Sequence, residues 1–170
     1  MAVSMYRISV PVFVRGLKIA ATLLQKAEEH AAQHGVVPEV LLSARLADDM
    51  LPLSAQVQRA SDTSKASAER LSGVAAPRFP DNEASFAQLQ ERIANTIAYL
   101  ESLPAAAFDG AESREIVLNA GSLTQTFTGE DYQLVFGLPN FYFHLTTLHD
   151  ILRNQGVKVG KMDFLGKFAE

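Results

Sequence analysis

Residues 139–156 read PNFYFHLTTLHDILRNQG, and their spacing decides the fold. Phe141, Leu145, Leu148 and Leu152 recur at steps of four, three and four, which makes one apolar helix face. Asn140, His144, Thr147 and Ile151 follow the same rhythm on an adjoining face. His144 is therefore expected to point at least partly inward. Gly156 ends the helix. The pattern reaches back to about Glu130, with Gly137 and Pro139 predicting a kink near Leu138.

Three more long helices follow from the rest of the chain. Phe13, Leu17, Ala20, Leu24, Ala27 and Ala31 form a narrow apolar stripe, closed by His34-Gly35. Pro38 to Met50 reads as a connector of one or two helical turns. A second long helix runs from about Pro52 to Ser72, with Gly73 as its stop. Its middle is small and polar (Ser61, Thr63, Ser64, Ser67, Ala68), which suits either close helix approach or a pocket. VAAPRFP, residues 74–80, is a linker by its two prolines. Asn82 is the expected N-cap of a helix carrying Phe86, Leu89, Ile93, Ile97 and Leu100. Between Glu115 and Thr128 the period drops to two, with a turn at Ala120-Gly121, so a β-hairpin is expected. It must pack on the helices, because an isolated hairpin is marginal in water. Thr128 to Asp131 resembles a capping box. The tail GKMDFLGKFAE is expected to run over the surface. The fold class is all-α: an antiparallel four-helix bundle with a small hairpin inserted before the last helix, in one domain spanning residues 1–170.

Composition excludes several functions. The 170 residues include no Cys, which removes thiol catalysis and cysteine-based metal or iron–sulfur sites. Net charge is −4 with scattered Lys and Arg, so no nucleic-acid footprint exists. No apolar run is long enough for a membrane span. The N-terminus, broken by Arg7, Pro11 and Arg15, does not read as a signal peptide, and a cytoplasmic place is expected.

Among the four histidines, His30 and His34 have the spacing of a metal pair. Their place in a last helical turn favours exposed imidazoles attracted by the helix dipole. His149 is expected to be exposed beside Asp150. His144 reads first as a core histidine bonded to a Ser, Thr or Gln of the second helix. The other reading is a ligand or acid–base group in a bundle cavity. Asp48 and Asp49 diverge on a helix and form no dyad, although Asp49 can cap the second helix. Asp62 and Lys65 read as solvated surface.

NFYFHLTTLHDILRNQGV, residues 140–157, resembles the last helix of the DinB-like superfamily of bacterial four-helix proteins. RLADDMLPLSAQVQRASDTSK, FTGEDY, LPNFYFH and GKMDFLG are similar to one branch of it, proteins carrying a domain of unknown function. The resemblance implies a bundle, often dimeric. It also implies a divalent metal on three histidines, one from the second helix and a His-x-x-x-His pair on the last, and in some members thiol-dependent transferase or hydrolase activity. Asn140 falls on the first position of that pair and His144 on the second. The second helix has no His; Gln56 takes its place, with Gln58 as the alternative.

An amide oxygen is a poor donor to zinc, nickel or iron beside a neutral imidazole. The expectation is thus a degenerate metal site and no cofactor. Gln56, Ala60, Thr63 and Ser67 share a face of the second helix. Opposite Asn140, His144 and Thr147 they would make a chamber for a small polar ligand. Two alternatives stand beside it: a metal-dependent hydrolase or transferase using His144, with Gln56 and Asn140 as weak ligands, and a structural homodimer with no site.

Overall fold

The computed structural model describes residues 3–120, 123–166 and 168. Four long helices carry it: α1 Val10–His34, α3 Leu53–Ser72, α4 Phe86–Ser102 and α6 Leu138–Asn154, with a short α2, Pro38–Ser43, between the first two. The helix α3 packs against both α4 and α6, and α1 packs on α4 and α6. All six residues of the expected α1 stripe are buried, but so are Val10, Val14, Ile19 and Leu23. The stripe is wider than its spacing suggests because α1 faces more than one neighbour. Gly35, at φ 64°, closes α1 in the left-handed conformation that favours glycine.

The polar middle of α3 is core. Ser61, Ser64 and Ser67 are fully buried, and Ser61 Oγ lies 2.8 Å from Thr96 Oγ1 of α4. Small side chains that bond one another or the backbone let two helices close on α3 without stranding a polar group.

The strands β1, Glu115–Ala120, and β2, Leu123–Thr128, pair antiparallel from Glu115 with Thr128 to Ala120 with Leu123. Ile116 and Leu118 are buried while Val117 and Asn119 face out, the period of two that the sequence carries. Of the expected turn, Ala120-Gly121, Ala120 is the last residue of β1 and Gly121 lies outside the described residues. Thr128 then caps a short α5, Gly129–Asp131, by accepting from the Asp131 N–H at 3.2 Å.

The expected kink takes another form. Tyr132–Gly137 is a π-helical turn that joins α5 to α6 with helical dihedrals at both ends. Such turns absorb an irregular hydrogen-bond register without breaking the rod. Here it precedes Pro139, which has no N–H to donate. A Cβ at Gly137 would lie 2.7 Å from Gln133 Oε1 and 3.1 Å from Ser67 Oγ, so the buried Gln133 side chain would have to shift.

Two cap assignments are corrected. Ser85, not Asn82, caps α4, accepting from the Gln88 N–H at 3.2 Å. Asp49 does not cap α3; Pro52 occupies that position without a side-chain bond, and Asp48 and Asp49 are exposed in the preceding loop. The tail runs over the surface as a short α7, Lys161–Leu165, with no buried residue, and the Lys26–Asp163 ion pair at 2.6 Å fixes it to α1; just before it Val157 and Val159 are buried. His149 is consequently half-buried rather than exposed: Phe164 packs edge-on against its ring, 5.8 Å between centroids.

Candidate functional site

A polar seam runs between α3 and α6. Gln56, buried near the N-terminus of α3, meets His144: the ring Nδ1 lies 2.8 Å from Gln56 Oε1. Gln56 Nε2 donates to Leu51 O at 2.9 Å, and a carbonyl can only accept. The amide is thereby oriented with its oxygen toward His144, so the proton sits on Nδ1. Nε2 keeps its lone pair and makes no hydrogen bond among the described residues. Burial, joined by the Arg59 charge, pushes the imidazole down to about pKa 4, so it is neutral at pH 7.

One turn along, Asn140 Nδ2 donates to Thr63 Oγ1 at 2.8 Å. Beyond that, Ser67 Oγ and Tyr132 Oη lie 3.1 Å apart, and Arg70 also donates to the Tyr132 oxygen. The structure thus brings together Gln56, Thr63, Asn140 and His144. Thr147 is buried beside them, but its hydroxyl donates to Phe143 O of its own helix. Gln58, the alternative to Gln56, faces elsewhere and donates to Glu83 at 2.8 Å.

Residues 5–165 match the model of a family described as a domain of unknown function, DUF1993. The chain belongs to that family. No curated protein matches it. It is similar to the protein in a 1.83 Å crystal structure of a DinB family member from Shewanella denitrificans. The two are 38% identical, with 98% of this chain and 94% of that one covered, and the TM-score is 0.90. The DinB-like bundle and its hairpin are therefore the fold of this DUF1993 protein.

Does the seam fit the metal that DinB-like proteins suggest? Among the described residues no three His, Asp or Glu side chains are grouped to hold an ion. Gln56 Oε1 is committed to the His144 N–H, and the Asn140 amide nitrogen to Thr63. What remains among the described residues is the His144 Nε2 lone pair and the Asn140 carbonyl oxygen, a weak donor set for a transition metal. His30 and His34 stack with centroids 4.2 Å apart, and His34 Nδ1 donates to His30 O.

A second polar cluster in the DUF1993 chain escaped the sequence reading. Arg92 of α4 is buried, and its guanidinium reaches Asp62 at 2.7 Å, Asp81 at 3.0 Å and Glu83 at 2.8 Å. It also donates to Pro80 O at 3.2 Å. Asp62 and Lys65, expected at the solvated surface, belong here. Lys65 is buried, 3.2 Å from Asp62, and lies over the Phe79 ring at 3.9 Å. Burial holds its ammonium below the ordinary value despite Asp62. Burial raises the Glu83 carboxyl, but bonds from Arg92 and Gln58 outweigh it and leave the group lowered. This clasp ties the linker to α3 and α4. Only its partners in space mark Arg92 as a core residue; on the sequence it is one cation in an amphipathic helix.

Proposed function

We propose that this DUF1993 protein binds a small polar ligand at the outer end of the seam, anchored on His144 Nε2, and that it uses no metal there. One observation carries the reading: the Leu51–Gln56–His144 chain fixes a neutral imidazole with Nδ1 protonated and Nε2 unpartnered. A histidine set in this way accepts a hydrogen bond, so its ligand must bring an O–H or N–H donor. The same arrangement orients metal-binding histidines, where the second ring nitrogen is held by a carbonyl. Here the neighbours that would complete a metal site are amides, whose oxygens are poor donors to a transition metal, and the Gln56 oxygen already accepts from His144. A homodimer and a cytoplasmic place, which rest on the family likeness and the absence of Cys, complete the proposal.

The test is nitrogen-15 NMR of the histidine rings together with elemental analysis of protein purified without chelator. The expected result is an Nδ1–H tautomer for His144, no stoichiometric metal, and an Nε2 shift that moves on adding small alcohols or amines. A bound metal that is lost in His144→Ala would overturn it in favour of a metal-dependent hydrolase or transferase.

The direct Thr63–Asn140 and Ser67–Tyr132 bonds favour a second reading, a purely structural seam. A His144→Phe variant at least as stable as the parent, with no ligand response in the parent, would select it.

A further inference from the structure

We propose that the groove between α1 and the C-terminal segment binds a small amphipathic anion, a single-chain alkyl carboxylate. The groove holds about 970 Å³, within the range of ligand sites, and shares no residue with the seam. Its floor is apolar, built on Val14 and Ile19 of α1, which are themselves buried. Across from them stand Met162 and Phe168, large apolar side chains that are 63% and 73% exposed. Isolated exposed apolar residues are ordinary, but these two line one concavity. Methionine is also a side chain that adapts to an alkyl chain.

The groove's charges select the head group. Arg15 and Lys18, three residues apart on α1, both line it. Arg15 spends one donor on Leu165 O at 2.6 Å, and its other donors have no partner among the described residues. Among the described residues Lys18 has one loose ion partner, Glu101 at 3.8 Å, and it is mostly exposed. Among the described residues the lining has one acid, Asp163, which pairs with Lys26 at 2.6 Å and accepts from the Gly160 N–H at 2.8 Å. Among the described residues, a chain of net charge −4 thus sets two cations, Arg15 and Lys18, beside an apolar floor. A carboxylate on Arg15 and Lys18 would lay its alkyl chain along Val14, Ile19 and Met162. The two cations favour that occupant over a neutral or cationic lipid.

The experiment is calorimetric titration of the full chain with decanoate and, separately, decylamine, both below their micellar concentrations. The expected result is saturable one-to-one binding of decanoate, with decylamine weaker by about tenfold or more. Lys18→Glu should weaken decanoate by a similar factor and Met162→Glu should abolish it. Both side chains are exposed, so the variants keep the fold, which circular dichroism checks. Methyl NMR of Ile19 in the unaltered protein gives an independent readout. Equal binding of both amphiphiles, no saturable binding, or an unmoved Ile19 signal would overturn the proposal. So would a concentration-dependent dimer that Met162→Glu dissociates, which would assign the groove to a second copy of the chain.

Discussion

The helix α3 is held by two polar systems of different character. On one face Gln56 and Thr63 bond His144 and Asn140 of α6 through neutral groups. From the roughly opposite face, at 100° per residue, Gln58, Asp62 and Lys65 join the Arg92 clasp. These two contacts of the seam link regular helices, so each partner in them is set by a helical period. The clasp links two helices to an irregular linker through Asp81 and Glu83, and it works through full charges. Neutral pairs cost little to bury once bonded, whereas buried ions are tolerated only in a complete set. The seam should therefore tolerate change that the clasp does not.

The largest effect is expected at Arg92. Arg92→Met leaves Glu83 poorly paired beside Asp62 and Asp81, and breaking a buried ion pair typically costs about 3–5 kcal/mol. Asp62 and Asp81 are partly exposed and can rehydrate, which favours the lower end. Thermal denaturation should show a fall of roughly 6–12 °C for a loss near 3 kcal/mol. Arg92→Lys should recover little, because one ammonium cannot replace a planar fork that meets three carboxylates. A loss under about 1 kcal/mol would mean that the clasp is a surface feature.

Next comes a pH window that separates the two systems. His144 has its folded value pushed down to about 4 from 6.5, so the unfolded chain binds the proton that the folded chain refuses. Stability is then full above pH 6.5 and falls as the pH drops through 4, by no more than about 3 kcal/mol. For Glu83 the folded value is also lowered, so its contribution is present above 4.5 and is lost only in more acid solution. Denaturant midpoints measured from pH 7 to 4 should slope in the parent and flatten in His144→Gln. An unchanged slope in that variant would remove His144 as the cause.

These two systems also explain what the sequence could tell. Asn140, His144, Gln56, Thr63 and Ser67 were legible as facing sets because both helices keep their period through the contact. The four long helices and the hairpin were legible for the same reason. Arg92, Asp81 and Glu83 were not, since two of them lie in a linker whose path no period describes. His149 is half-buried rather than exposed because the surface tail forms α7 and sets Phe164 on its ring, a contact that no helical period of the last helix describes. The π-helical turn gave only its symptom, Gly137 and Pro139, without its form.

A smaller effect tests the seam alone. Asn140→Leu strands the buried Thr63 hydroxyl without its donor and should cost about 1–2 kcal/mol. Thr63→Val with Asn140→Leu removes both partners and should recover most of that loss. If the double variant is worse than the single one, the seam is more than a set of matched hydrogen bonds, and bound solvent or ligand becomes part of its stability.

The smallest effect lies where the clasp meets a helix start. Ser85 Oγ accepts from the Gln88 N–H at 3.2 Å, and Gln88 Oε1 accepts from the Ala84 N–H at 2.7 Å, so the first turn of α4 closes on itself. Asn82 has the better cap chemistry by type, but it lies between Asp81 and Glu83, which Arg92 holds. Three further residues pass before the helix begins. Ser85→Ala should cost about 1 kcal/mol and Asn82→Ala nearly nothing. Combining Ser85→Ala with Arg92→Met distinguishes two arrangements. If the clasp merely neighbours the cap, the two losses add to within about 0.5 kcal/mol. If the clasp places the start of α4, releasing it lets the helix find another cap, and the double loss falls short of the sum.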